Sequence, residues 1–208
     1  MARAPSFCGV ILAAGESSRM GRSKALLPWR EGTFLSTAIA TLSIHTDLVI
    51  VVGGRTADEI RPVVYANGGF LAVNPAAERG QFSSLQVGVQ EVLNRGRDAA
   101  VVTLVDRPPP RSETVGLLLQ SFLDKLSQGS WAVVPEYGGR HGHPIVIGRE
   151  MITTILEAPS TSNAREIEHA HQSQVAYIAV DDPLVAVNID TPEEYAELIN
   201  SLGPTVKQ

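Results

Sequence analysis

One cysteine in 208 residues leaves no partner for an internal disulfide. Cys8 sits in an apolar run and reads as a small buried side chain, which suits a reducing compartment. Positive charge is also short: Lys and Arg number 17 against 22 Asp and Glu, a formal net charge of −5. That balance argues against a broad nucleic-acid-binding face, although a local cluster of cations can still serve a small anion. No apolar stretch is long enough to span a bilayer. The apolar run after Pro5 enters a glycine-containing loop without a convincing cleavage site, so a cytoplasmic chain with no membrane association is expected. Repeats, low-complexity tracts and linkers are missing too. With 44% hydrophobic and 19% charged residues, one globular domain spanning residues 1–208 is expected.

Short apolar, β-branched runs alternate with helical patterns. Strands are predicted at 7–12, 48–52, 70–73, 100–105, 131–135, 144–147 and 175–180. Several are apolar at consecutive positions, as strands covered on both faces by helices are. Thr56 with Glu59, and Thr191 with Glu194, have the spacing of capping boxes, and Pro192 suits a first helical position. Ser112 opens another predicted helix, and Gly96 and Gly203 stand where left-handed C-terminal caps belong. The alternation predicts a three-layer α/β/α, Rossmann-like domain with a mostly parallel sheet. The segment 131–147 holds two strands around Gly138-Gly139 and is expected to form a hairpin over the site.

The strongest chemical signal follows the first strand: Leu12-Ala13-Ala14-Gly15-Glu16-Ser17-Ser18-Arg19-Met20-Gly21-Arg22-Ser23-Lys24. Ligands of open α/β sheets bind beyond the carboxyl ends of strands, where this loop begins. Gly15 and Gly21 permit close approach of backbone N–H groups to an anion, and Arg19, Arg22 and Lys24 bring three positive charges. Neither common phosphate fingerprint fits. A P-loop needs Gly directly before Lys, and here Ser23 intervenes; Gly15-Glu16-Ser17 breaks the G-x-G-x-x-G spacing. The plain alternative is a solvated basic turn.

This run resembles the L-A-A-G-x-S-x-R-M-G-x-x-K signature of the MobA-like nucleotidyltransferases, the group containing the molybdenum-cofactor cytidylyl- and guanylyltransferases. Four further segments extend the resemblance. Gln81-Phe82-Ser83-Ser84-Leu85-Gln86-Val87-Gly88 is similar to the family's S-S-L-x-x-G, and Val105-Asp106-Arg107-Pro108 to its G-D-x-P metal motif. Arg140-His141-Gly142-His143-Pro144 carries its G-H-P, and Asn188-Ile189-Asp190-Thr191-Pro192-Glu193-Glu194 resembles its closing D-I-D-T-P-E-D.

The resemblance implies that Leu12, Ala13, Ala14 and Gly15 hold a nucleotide while Arg19 and Lys24 neutralise its phosphates. It also implies Mg²⁺ on Asp106, with Asp190 as a second carboxylate, and His143 near the acceptor. Capping and contact with base or ribose both remain open for Ser83 and Ser84, as do turn and metal readings for Asp106 and a helix-dipole reading for Asp190. Val105 and Arg107 depart from the family; Arg107 either binds phosphate or points outward. The implied reaction is in-line attack by an acceptor phosphate on the α-phosphorus of a nucleoside triphosphate. Arg19, Lys24 and Asp106 would carry it by positioning and charge neutralisation. Ala14 matches the cytidylyl members, which favours CTP with molybdopterin, and a molybdoenzyme becomes a possible partner. Two alternatives stand: an enzyme activating a sugar phosphate or methylerythritol phosphate, and a non-catalytic nucleotide-binding accessory protein for molybdoenzyme maturation.

Overall fold

A computed structural model describes residues 5–15, 17–159 and 161–203. Strand β1 (Phe7–Ala13) is apolar throughout and buried from Cys8 onward. It is followed by a small antiparallel pair, β2 (Pro28–Trp29) and β3 (Gly32–Thr33), and by helix α1 (Phe34–Ser43). Then come β4 (Leu48–Gly53), α2 (Ala57–Ala66), β5 (Phe70–Val73), α3 (Gln81–Asn94), β6 (Ala99–Leu104) and α4 (Ser112–Leu126). The remainder is β7 (Ala132–Tyr137), β8 (Arg140–His141), β9 (Ile145–Gly148), α5 (Arg149–Glu157), α6 (Ala164–Ala170), β10 (Val175–Ala179) and α7 (Pro192–Ser201).

The main sheet runs β10-β7-β9-β6-β1-β4-β5, with β8 paired to β7. Its pairs are parallel except where β9 joins β6 and β7, and where β8 joins β7. Alternate residues of a strand point to opposite faces, and β1 divides its side chains accordingly. Ile11 and Ala13 pack with Leu35 and Ile39 of α1, Ile60 and Val64 of α2, and Leu118 and Phe122 of α4. Cys8, Val10 and Leu12 meet Leu85 and Val89 of α3 and Ile152 of α5 on the other face. Each valine, leucine, isoleucine or phenylalanine among these contributes about 1.5–3 kcal/mol when fully buried. Two helical layers thus cover one sheet, and the expected α/β/α fold is the observed one. All seven predicted strands are present, most with ends shifted by one or two residues. Among the described residues, no helix is long and apolar enough to cross a membrane.

The expected caps divide. Thr191 Oγ1 accepts from the Glu194 N–H at 3.3 Å and Glu194 Oε2 accepts from the Thr191 N–H at 3.0 Å, a complete capping box with Pro192 just inside. Thr56 forms none: its φ of −95° and ψ of 19° lie away from the extended cap conformation, and its hydroxyl makes no cap hydrogen bond. A box that the sequence reading missed opens α1, where Thr33 and Ser36 bond reciprocally, with serine where glutamate is usual. Gly96 and Gly203 are left-handed, at φ +67° and +75°, as C-terminal caps require.

The two expected strands are β7 and β9, paired antiparallel within the main sheet, and between them β7 turns through left-handed Gly138 and Gly139 into the short β8. It is fastened to a later segment, because the His143 N–H donates to the Val185 carbonyl at 3.0 Å. A Cβ on Gly142 would clash with that same carbonyl, so only glycine fits there. Gly142→Ala should therefore force backbone apart and cost about 1–3 kcal/mol. At about 2–4 °C per kcal/mol for a domain of this size, the melting temperature should fall by roughly 2–12 °C. A variant melting with the parent in a calorimetric scan would contradict this close docking.

Candidate nucleotide-binding site

The loop after β1 leaves the sheet between β4 and β6, at the carboxyl end of the central strand. Gly21 is left-handed at φ +69° and is required there by the backbone. Gly15 is different: it is not left-handed, and a Cβ on it would meet nothing within 4 Å. No contact among the described residues demands a glycine at 15, whereas close approach of a ligand would. Ser17 holds the loop in a way the sequence did not signal. It adopts a left-handed φ of +51°, and its hydroxyl accepts from the Lys24 N–H at 3.1 Å. Met20 anchors the loop from below, in a cluster with Trp29, Phe34, Ile189 and Leu198. Glu16 lies outside the described residues.

Lys24 is not a solvated loop cation. It is buried, and its Nζ donates to Asp190 Oδ1 at 2.6 Å. Exposed Arg19 approaches the same oxygen, its Nη2 at 3.5 Å, and Asn188 Nδ2 donates to Asp190 Oδ2 at 2.7 Å. The Lys24 hydrogen bond, foremost among these, holds the Asp190 carboxyl below its ordinary range. Asp190 is thus turned towards cations, and the N-terminus of α7 is capped by Thr191 and Glu194 instead.

Asp106 follows the end of β6, and its carbonyl accepts from the Ile189 N–H at 2.8 Å, fixing its backbone. Its Oδ1 is buried with no hydrogen-bond partner among the described residues. Burial pushes the carboxyl above its ordinary range, with the charges of Lys24 and Arg107 opposing the rise. A buried, fixed carboxylate oxygen without a partner fits a hard cation well. Asp190 fits less directly, since both of its oxygens already accept hydrogen bonds from nitrogen donors.

These groups border a hollow of about 180 Å³ whose walls include Leu12, Ala14, Gly15, Lys24, Ser84 and Asp106. A second hollow of about 360 Å³ opens across the loop, sharing Gly15 and Ser17 and reaching Arg22, Thr56 and Glu59. Arg19, Asp190, Ser83 and His143 do not line the first hollow, and Ala13 packs its methyl into the core. The two serines separate. Ser83 donates to the Gly80 carbonyl at 2.7 Å, while Ser84 faces the hollow. Neither caps α3, because the preceding Gly80 backbone occupies the cap position. Both accept from Asn74 Nδ2, at 2.9 and 3.0 Å. Sequence reasoning missed Asn74; a buried amide directly after β5 was its only signal.

His143 is half-buried, with its Nδ1 fully buried and, among the described residues, unpartnered. Burial, assisted by the Arg107 charge, pushes its pKa down to about 3, and the ring is neutral at pH 7. His141 faces elsewhere, stacked on Tyr177 with ring centroids 4.0 Å apart. Arg107 does not point outward. It is half-buried, and its Nη1 donates to the Val187 carbonyl at 3.2 Å.

A glycine loop, a buried lysine and a carboxylate with an unpartnered oxygen meet at the strand ends of a mostly parallel sheet, where open α/β proteins bind their ligands. Residues 9–175 match the MobA-like NTP transferase domain, and the chain belongs to that family of nucleotidyltransferases. It is 28% identical over 191 residues to the molybdenum cofactor cytidylyltransferase of Escherichia coli (strain K12), covering 89% of this chain and 92% of that protein. It is 29% identical over 195 residues to the molybdenum cofactor guanylyltransferase of Xanthomonas euvesicatoria pv. vesicatoria (strain 85-10), covering 92% and 94%. Among solved structures, Rv0371c of Mycobacterium tuberculosis H37Rv superimposes with a TM-score of 0.78 at 27% identity, over 94% of this chain and 98% of that one.

Proposed function

We propose that this protein transfers CMP from CTP to a phosphorylated small-molecule acceptor, with molybdopterin the first candidate, and releases pyrophosphate. The observation that carries the reading is the buried, unpartnered Oδ1 of Asp106 beside Lys24 at the mouth of the glycine loop. An acceptor phosphate oxygen forms the new bond to the α-phosphorus as the bond from that phosphorus to the β-phosphate bridge breaks. The acceptor is already an anion, so no side chain needs to remove a proton. Asp106, with Asp190 as a second carboxylate, would hold Mg²⁺, whose charge offsets that developing on the phosphates. Lys24 and Arg19 meet the triphosphate charge, and the Gly15 backbone lets it approach closely. Ser84 and Ala14 wall the nucleotide side.

The choice of CTP rests on Ala14, since identity to the cytidylyl- and guanylyltransferase relatives is nearly equal. A molybdenum enzyme receiving the product would then be the partner downstream. A panel of CTP, GTP, ATP and UTP in thermal unfolding, with and without Mg²⁺, tests the reading. At about a hundred times its dissociation constant a ligand adds roughly 2.7 kcal/mol, so CTP with Mg²⁺ should raise the melting temperature by roughly 5–11 °C. Equal shifts from all four would remove the cytidine preference. No shift from any would remove the nucleotide reading.

A further inference from the structure

Four buried side-chain nitrogen or oxygen atoms lack a hydrogen-bond partner among the described residues: Arg97 Nε, Asp106 Oδ1, Arg107 Nε and His143 Nδ1. Arg97 stands apart, just before β6, where its Nε lies 3.5 Å from Asp47 Oδ2. The other three belong to one locality, because a single stretch of backbone gathers the residues that carry them. The carbonyls of Val185, Ala186 and Val187 accept, in order, from His143 N at 3.0 Å, Arg140 Nη2 at 2.9 Å and Arg107 Nη1 at 3.2 Å. Two residues further on, the Ile189 N–H donates to the Asp106 carbonyl. Consecutive residues span only about 3.3–3.6 Å of extended chain, so these groups are neighbours although they come from two separate parts of the sequence.

The charge balance there is uneven. Carbonyls orient a guanidinium without neutralising it, and neither Arg107 nor Arg140 makes an ion pair with a carboxylate among the described residues. The Nε and Nη2 of Arg107, the edge that receives an oxyanion by two parallel hydrogen bonds, have no partner there either. Neither arginine borders the hollow that contains Gly15 and Lys24, yet Asp106, adjacent to Arg107 in the chain, does. Two cations thus stand next to the carboxylate but outside the hollow that it borders, and Arg107 keeps an unpartnered Nε among the described residues.

We propose that Arg107 and Arg140, with His143 beside them, form an anion subsite that takes the phosphomonoester dianion of the acceptor. This rests on the proposed transfer reaction and assigns the acceptor's phosphate to residues of this chain. Arg107, where the sequence departs from its family's motif neighbours, becomes a specificity-determining residue rather than a sign of lost catalysis. His143, uncharged, supplies a polar wall that adds no further positive charge.

Inorganic phosphate is the probe. It is titrated calorimetrically into the full chain and into Arg107→Gln, Arg107→Lys and Arg140→Gln, each with and without saturating CTP. Losing hydrogen bonds to a charged group should weaken phosphate binding about tenfold or more in Arg107→Gln, with CTP affinity unchanged within about twofold. Arg107→Lys keeps the charge but not the fork and should fall between; it replaces the glutamine variant if that one melts early. Phosphate that binds both arginine-to-glutamine variants as it binds the parent overturns the subsite, and so does phosphate fully displaced by CTP. CTP binding with phosphate indifferent to Arg107 would sink the subsite and leave the transfer reading standing. Phosphate dependent on Arg107 in a chain that binds no nucleotide would do the reverse.

Discussion

Asp106→Asn should reduce magnesium-dependent pyrophosphate release by about a hundred- to a thousandfold, since charge held by a metal in such a transition state amounts to several kcal/mol. The substitution keeps the shape of the side chain and removes only the charge on a carboxylate whose Oδ1 has no protein partner. Folding should not suffer. Burial raises the folded-state pKa of Asp106 above its unfolded value, so the folded state holds that proton more tightly. The resulting stabilisation is present in acid and is lost as pH rises through the folded pKa; at neutral pH the ionised group opposes folding. The asparagine variant should therefore melt at or above the parent's temperature at pH 7. Kinetics with CTP and calorimetry on the same preparation check both halves. Retained turnover would remove Asp106 from the metal site, and a lower melting temperature would show a structural carboxylate.

The sheet was legible because strands covered on both faces carry uninterrupted apolar runs, as Val49 to Val52 and Ala99 to Val102 do. The order in which those strands pair was not legible: β9 enters antiparallel between β6 and β7, a choice made by packing and not by any local pattern. The loop from Leu12 to Lys24 was expected to be a phosphate site from its glycines and cations, and the structure sets it along a hollow at the strand ends. Its internal brace, the left-handed Ser17 bonded to the Lys24 amide, gave no compositional signal. Capping boxes show the same limit. Thr56 and Thr191 share one spacing, yet only Thr191 has the extended backbone that aims its hydroxyl at the helix. Burial of Lys24 was hidden most deeply, because its partner Asp190 lies 166 residues away in sequence.

That pair sets the second large effect. Lys24→Ala should weaken CTP binding about a hundredfold and slow turnover at least as much, because two changes add. A cation beside the triphosphate is lost, and the Asp190 carboxylate it had neutralised now faces the same phosphates. Unit charges about 4 Å apart interact by roughly 4 kcal/mol at a protein-surface dielectric, so even half of that is worth more than a factor of ten. Arg19, its Nη2 at 3.5 Å from Asp190 with a largely exposed side chain, is too loosely held to replace the lysine. The cost to folding should stay near 1 kcal/mol, as for a partly exposed ion pair, or about 2–4 °C in melting temperature. Asp190→Asn should behave oppositely in the absence of metal. The amide oxygen can still accept from Lys24, the negative charge is gone, and CTP should bind in EDTA at least as well as to the parent. With Mg²⁺ its turnover should fall less than that of Asp106→Asn, because Asp106 offers the unpartnered oxygen. The double variant Lys24→Ala, Asp190→Asn should recover about tenfold of the binding lost in Lys24→Ala, a coupling that a double-mutant cycle measures directly. Strict additivity in that cycle would mean that Asp190 does not compete with the triphosphate for Lys24, and CTP binding unaffected by Lys24→Ala would take the lysine off the phosphates altogether.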